Sequence, residues 1–212
     1  FHYYEYFYLH PENILRIIRK AYEVGIEGLQ LLPYPPVVKA VKKALDEGLN
    51  LKILGSLRPQ NIQSDLQLFS KLNVLGVVTH AEITDNCNQK VLEKIFKLIH
   101  QTGKPAGFAT HHPFKILGWI NQLNLDYEIV MVPLNMVGAF MDSKPEELVK
   151  ILMGMDKFVV AKKVLAAGSL NPKLALKYVA GLGCVDAVAI GVSSEAEVEE
   201  TFTHAKNFLV NL

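Results

Sequence analysis

Seven times along the 212-residue chain a short apolar run ends in a polar or glycine-marked turn, and a helix-length amphipathic segment follows before the next run begins. The runs are short, rich in β-branched residues and nearly uniform rather than alternating, the pattern of strands covered on both faces. Strands joined by helical crossovers lie parallel, and such units in tandem specify an α/β fold, a TIM-type (β/α)8 barrel. Barrels of this kind gather their functional groups on the loops that leave the carboxyl ends of the strands. The repeat therefore says where a site belongs before it says what the site does.

Half of the composition is hydrophobic, enough for one large core, so residues 1–212 read as a single domain. No linker or low-complexity stretch divides the units. A formal charge of +1, from 22 basic and 21 acidic residues without long blocks of either sign, argues against a nucleic-acid partner. No apolar run has the length of a membrane helix and no signal peptide is visible, so the expectation is a soluble, cytoplasmic protein, monomeric or homodimeric. Cys87 and Cys184 fall in different units without CxxC spacing and are expected as free thiols.

The units run in order. A helix over 11–24 leads through Gly25 to a strand over 26–32, and Pro33, Pro35 and Pro36 break the chain before a helix reaching Gly48. Strands over 51–56 and 74–79 follow, with a helix over 60–72 between them. The second ends in the polar stretch His80 to Asp85 before a helix over 86–101. The strand at 106–109 ends Thr110-His111-His112-Pro113, and that at 127–132 ends Pro133-Leu134-Asn135. Ser143 to Glu146 reads as a capping box for the next helix. The strand at 158–162 runs into Gly168-Ser169, and that at 185–190 into Gly191-Val192-Ser193, after which Ser194 to Glu197 caps the last helix. Seven strands and eight helices result. The aromatic opening, residues 1–8, is either an irregular first strand or the tail of a loop whose strand lies upstream; the absence of a turn before Pro11 favours the second. Its aromatics equally suit packing at the barrel floor.

All of those strand ends share one rim. His80, Glu82, His111 and His112 supply nitrogen and oxygen donors for a divalent metal, although no HxH or HExxH spacing supports a metal and a capping role is the simpler reading. Alternation along 158–162 sends Lys162 to one face and Lys163 to the other, so one lysine enters the barrel mouth. An inward lysine is desolvated, and its pKa can fall far enough for a nucleophile or base; pairing with Glu82 or snorkelling is the alternative. Gly168 and Ser169, with Gly191, Ser193 and Ser194, sit between strand ends and helix N-termini, where backbone N–H groups favour a phosphate; ordinary turns and caps use the same residues. Tyr34, Ser56, Arg58 and Asn135 complete the polar rim.

The stretch from Val185 through Gly191, Ser193, Ser194 and Glu197 to Glu200 resembles the last strand and helix of the aldo/keto reductase superfamily. There a glycine, a small hydroxyl residue and a glutamate line the nucleotide site. Leu75 to His80 resembles the strand that delivers that family's active-site histidine, and the runs ending at His111, Asn135 and Lys162 occupy the places of the strands that follow. The resemblance covers about 25–210 by pattern more than by identity. It implies NADP or NAD in the cleft of Gly168, Ser169, Gly191, Ser193, Ser194 and Glu197, with His80 polarising a carbonyl. The family's tetrad of aspartate, tyrosine, lysine and histidine is met plainly only at His80: Tyr34 is a loose match for the tyrosine, Gly55-Ser56 replaces the lysine, and the aspartate is missing. Lys162 stands where the family offers an aromatic ring to the nicotinamide, so the hydride-transfer machinery is expected to be largely lost.

Three readings follow. The first is a reductase-like barrel in which Tyr34 or Lys162 supplies the proton. The second is a lyase, aldolase or isomerase of a small phosphorylated carbonyl compound, with Lys162 as Schiff-base former or base and the last two loops holding the phosphate. His111 and Asn135 complete the catalytic candidates with His80, Tyr34 and Lys162. The third is a non-catalytic metabolite-binding barrel. The apolar stripe Val198, Phe202, Ala205, Phe208 and Leu209 suits the barrel wall or a dimer contact, the wall first.

Overall fold

The computed structural model describes residues 4–209. Seven strands, β1 (Gly28–Leu31), β2 (Lys52–Leu57), β3 (Gly76–Thr79), β4 (Ala106–Ala109), β5 (Ile129–Pro133), β6 (Phe158–Lys162) and β7 (Ala187–Ala189), form one parallel sheet in chain order. Around them run α1 (Pro11–Glu23), α2 (Pro35–Asp46), α3 (Ile62–Leu72), α4 (Ala81–Thr84), α5 (Gln89–His100), α6 (Pro113–Ile120), α7 (Pro145–Met153), α8 (Pro172–Ala180) and α9 (Glu195–Leu209). The sheet curls into a nearly closed α/β barrel. Its two ends are drawn together by α1 packing on α9, across which Arg16 meets Glu195 at 2.5 Å and Lys20 meets Glu199 at 3.3 Å.

Strand alternation divides the apolar residues into two layers. Val78, Ala109, Ile129, Met131 and Val160 fill the barrel interior, with Leu54, Ala187 and Ala189 against them. Their neighbours in sequence, such as Val77, Phe108, Val130 and Val159, face the helices and build the larger outer core with Phe69, Phe96 and Leu176. Close approach sets one position absolutely: a Cβ on Gly107 would overlap the backbone carbonyl of Ile129 on the next strand. The C-terminal stripe joins this outer core, with Val198 and Ala205 buried, so α9 is barrel wall. Among the described residues no helix is long and apolar enough to cross a membrane, and Cys87 and Cys184 are free thiols.

Several boundaries differ from the sequence reading, each for a local reason. Tyr4–Tyr8 is a π-helical turn rather than a strand, closed by Leu9 N–H donating to the Tyr4 carbonyl at 3.3 Å. Helical spacing lets the Tyr4 and Tyr8 rings stack at 4.9 Å. Residues 1–3 of that aromatic run lie outside the described residues. The extra helix is α4, one turn within the polar stretch after β3. Cys87 at φ +51 then breaks the chain, and Asn88 Oδ1 accepts from Val91 N–H at 3.2 Å to start α5 three residues later than expected. At α7, Pro145 takes the first helical position, which moves the cap to Lys144. The Glu147 carboxylate accepts the Lys144 N–H at 3.1 Å, one residue beyond the expected box.

Candidate active site at the carboxyl rim

Three interior-facing strand ends deliver the polar groups. Val78, Ala109 and Val160 point into the barrel, and two residues beyond each stand His80, His111 and Lys162. Cross-strand register keeps these ends level: Thr79 pairs with Phe108, Ala109 with Met131, and Pro133 with Lys162. The His80 and His111 rings meet edge to face with centroids 6.4 Å apart.

Asp85 organises the cluster. It stands immediately after α4, and α4 is tied to β3 by a buried hydrogen bond of 2.7 Å between the hydroxyls of Thr79 and Thr84. Its carboxylate accepts from Thr110 Oγ1 at 2.5 Å, from the His111 backbone N–H at 3.2 Å, and from His111 Nδ1 at 3.0 Å. Holding the Nδ1 proton leaves Nε2 of His111 as the basic nitrogen. Burial and the nearby Lys162 charge lower the His111 pKa, while Asp85 opposes them. His80 caps α4, its Nδ1 accepting from Glu82 N–H at 3.3 Å.

Lys162 is the most perturbed group. Burial, then the neighbouring Lys163 ammonium, lowers its pKa from 10.5 to about 8, with Asp85 as the opposing charge. Glu82 is largely exposed and pairs with His80 at 4.0 Å, and Lys162 has no hydrogen bond or ion pair among the described residues. At pH 7 an amine with that pKa is neutral in about one molecule in ten, available either as a nucleophile or, in its larger fraction, as a proton donor.

Lys163 does not turn toward the helices as strand alternation alone would send it. Its backbone is left-handed at φ +56, so the strand ends there and the ammonium lies over the Phe140 ring, 4.9 Å from its centroid. Asn135, buried, enforces this bend. Its amide nitrogen donates to the carbonyls of Ala139 (2.8 Å) and Lys163 (3.2 Å), and its Oδ1 accepts from Val137 and Ala139 N–H. The amide is thus consumed in clamping two loops.

Between the β6–α8 and β7–α9 loops opens a cleft of about 780 Å³, lined among others by Lys163, Gly168, Gly191, Ser193, Glu197 and Glu200. Gly168 has φ +84, and Ala166 and Ala167 before it are also left-handed, a strained loop of the kind that collects at ligand sites. Ser169 Oγ donates back to the Ala166 carbonyl at 2.8 Å, and Asn171 Oδ1 caps α8. At α9, Ser194 Oγ accepts Glu197 N–H at 3.2 Å, while the Glu197 carboxylate takes the Ser193 N–H at 2.7 Å and its hydroxyl at 3.0 Å. The anion resting at this helix N-terminus is Glu197 itself.

Tyr34 lies apart from the cluster. It is 46% exposed at the start of α2, with the Arg58 guanidinium 5.8 Å from its ring centroid. Arg58 in turn is held by buried Asp65 through contacts of 2.6 and 3.2 Å, which raise its pKa. Ser56 accepts Gln30 Nε2 at 2.9 Å inside the barrel. His112 begins α6, whose first N–H groups are capped by Asp142. Among the described residues His80 and His111 belong to no three-ligand group. Among the described residues the side chains that do converge so are His100, Asp126 and Glu128, on the opposite rim. The residues that sequence reasoning missed are Asp85 and Thr110, visible in it only as members of polar stretches.

No protein-family model and no curated protein matches the chain. Among solved structures it is similar to a Pseudomonas aeruginosa protein described as a "putative aldo-keto reductase", with TM-score 0.71, 13% identity, and coverage of 94% of this chain and 84% of that one. A variant of Gox0644 in complex with NADPH gives TM-score 0.67 and 8% identity, over 95% of this chain and 80% of the other. A protein of Aquifex aeolicus gives TM-score 0.65 and 11% identity, over 98% and 90%. At these identities the likeness is one of fold: the chain shares the α/β barrel architecture of these proteins.

Proposed function

We propose that the chain is a carbonyl-processing barrel enzyme of oxidoreductase type, diverged from the aldo/keto reductases. A nicotinamide nucleotide, the ligand of the Gox0644 variant, would be held in the cleft between the β6–α8 and β7–α9 loops by Lys163, Gly168, Gly191 and Ser193. The observation that carries the reading is juxtaposition. A cleft of 780 Å³, within the usual range for ligand pockets, is lined by Lys163, and the adjacent Lys162 points into the mouth beside His111 and Asp85. A substrate carbonyl would lie at Lys162, whose ammonium would donate the proton to the carbonyl oxygen, while the bound nucleotide would supply the hydride. His111, oriented by Asp85, returns that proton from solvent. This set differs from the family tetrad: Tyr34 and Asn135 take no part, one engaged with Arg58 and the other with its loops. Titration with NADPH and NADH to millimolar concentration, read by nicotinamide fluorescence and thermal shift, tests the reading. Saturable binding supports it, and no response to either nucleotide ends it.

One observation favours a second reading. Lys162 is an unpaired, desolvated amine with a pKa of about 8, suited to Schiff-base formation with a small phosphorylated aldehyde or ketone in a lyase or isomerase. Borohydride trapping with candidate aldehydes adds mass to Lys162 in that case and leaves it unlabelled in the first.

A further inference from the structure

The barrel mouth carries more positive charge than its carboxylates answer. Lys162 and Lys163 are consecutive at the end of β6, and His80 and His111 stand just beyond the ends of β3 and β4 on the same rim. These groups feel one another: both ammonium groups depress the His111 pKa, Lys163 depresses that of Lys162, and Asp85 is the carboxylate that opposes them. Asp85 has little left to offer. Its Oδ1 accepts from Thr110 Oγ1 at 2.5 Å and its Oδ2 from His111 Nδ1 at 3.0 Å. Glu82 is 72% exposed and reaches only to His80, at 4.0 Å. Lys162 has no hydrogen bond or ion pair among the described residues, and Lys163 rests on the Phe140 ring rather than on a carboxylate. In the neighbouring cleft the α9 N-terminus is already covered, because the Glu197 carboxylate takes the Ser193 N–H at 2.7 Å.

From this arrangement we infer that the carbonyl substrate brings its own carboxylate, bonded directly to the carbonyl carbon, so that the substrate class is the 2-oxo acids. The inference rests on the reading that a carbonyl lies at Lys162, which both routes above share. The unanswered charge is centred on Lys162 rather than along the cleft, so an anion that neutralises it sits beside the carbonyl. One carboxylate oxygen and the carbonyl oxygen of a 2-oxo acid face the same ammonium, which has three N–H donors to give, and Lys163 adds its field. The carboxylate is unchanged by the chemistry. It orients the carbonyl and favours the protonated form of Lys162 and His111. A neutral aldehyde does neither, and that difference is the basis of selection.

The test uses three amides whose carbonyl forms no imine: oxamate, phosphonoacetamide and acetamide, carrying a carboxylate, a phosphonate and no charge. Each is titrated into the full chain at pH 7 by calorimetry, with the His111 ring followed by NMR. Oxamate should bind saturably and at least about tenfold more tightly than either of the others, more weakly as salt is raised, and should move the His111 titration upward. Lys162→Met should weaken oxamate by about tenfold and Lys163→Met by about threefold, with acetamide unaffected by either. If circular dichroism shows one variant misfolded, the other decides. Oxamate no tighter than acetamide, phosphonoacetamide tighter than oxamate, or an oxamate affinity indifferent to the variants overturns the inference. The carbonyl reading then stands wherever a nucleotide binds or an aldehyde is trapped on Lys162. No response to oxamate, to either nucleotide or to borohydride trapping overturns both.

Discussion

Replacing Lys162 with methionine should make the protein more stable at neutral pH. In the folded chain the Lys162 pKa is about 8, against 10.5 for an ordinary lysine. The folded state therefore binds this proton more weakly than the unfolded state, and the penalty is fully present below pH 8. At about 1.4 kcal/mol per tenfold, the difference amounts to about 3 kcal/mol at pH 7. It falls to about 2 kcal/mol at pH 9 and to about 0.5 kcal/mol near pH 10.5, where the unfolded lysine also loses its proton. Methionine keeps the length and apolar stem while removing the charge, so Lys162→Met should recover most of that energy at pH 7 and progressively less as pH rises. Urea unfolding of both proteins between pH 7 and 10.5 measures the difference directly. A variant less stable than the parent at pH 7, or a stability gap that does not shrink between pH 8 and 10.5, would refute the claim that Lys162 is a desolvated, unpaired amine.

Asp85→Asn removes the charge that opposes burial and Lys162 in setting the His111 pKa, so the His111 ring, followed by NMR, should titrate lower still, and unfolding stability should fall by about 2 kcal/mol through the weakened hydrogen bonds to Thr110 and His111. Gly107→Ala forces a methyl into the Ile129 backbone and should cost at least about 3 kcal/mol in urea unfolding or prevent folding. Asn135→Ala releases the clamp between the β5–α7 loop and Lys163. Amide exchange across residues 136–140 should quicken, and stability should drop by about 2 kcal/mol.

The fold was legible because burial on both faces writes itself into sequence as short apolar runs, and prolines and glycines mark where each run must stop. Lys162 was legible for the same reason: period-two alternation from Val160 sends it inward whatever the loops do. Lys163 escaped that rule because its left-handed backbone depends on a carbonyl bond from Asn135, 28 residues away, which no local pattern announces. Asp85 escaped for a related reason. It reaches His111 only because a one-turn helix, pinned through Thr79 and Thr84, redirects the chain after β3, and four residues are too few to show a helical period. The anion-seeking character of Ser193 and Ser194 was visible, but not that Glu197 folds back to satisfy it.

The account stands or falls on what enters the cleft beside Lys162. Crystals of the full chain grown with saturating NADH or NADPH should show the nucleotide between the β6–α8 and β7–α9 loops, its nicotinamide directed toward Lys162 and His111. An empty cleft with both nucleotides, or a nucleotide bound anywhere else on the barrel, would contradict it.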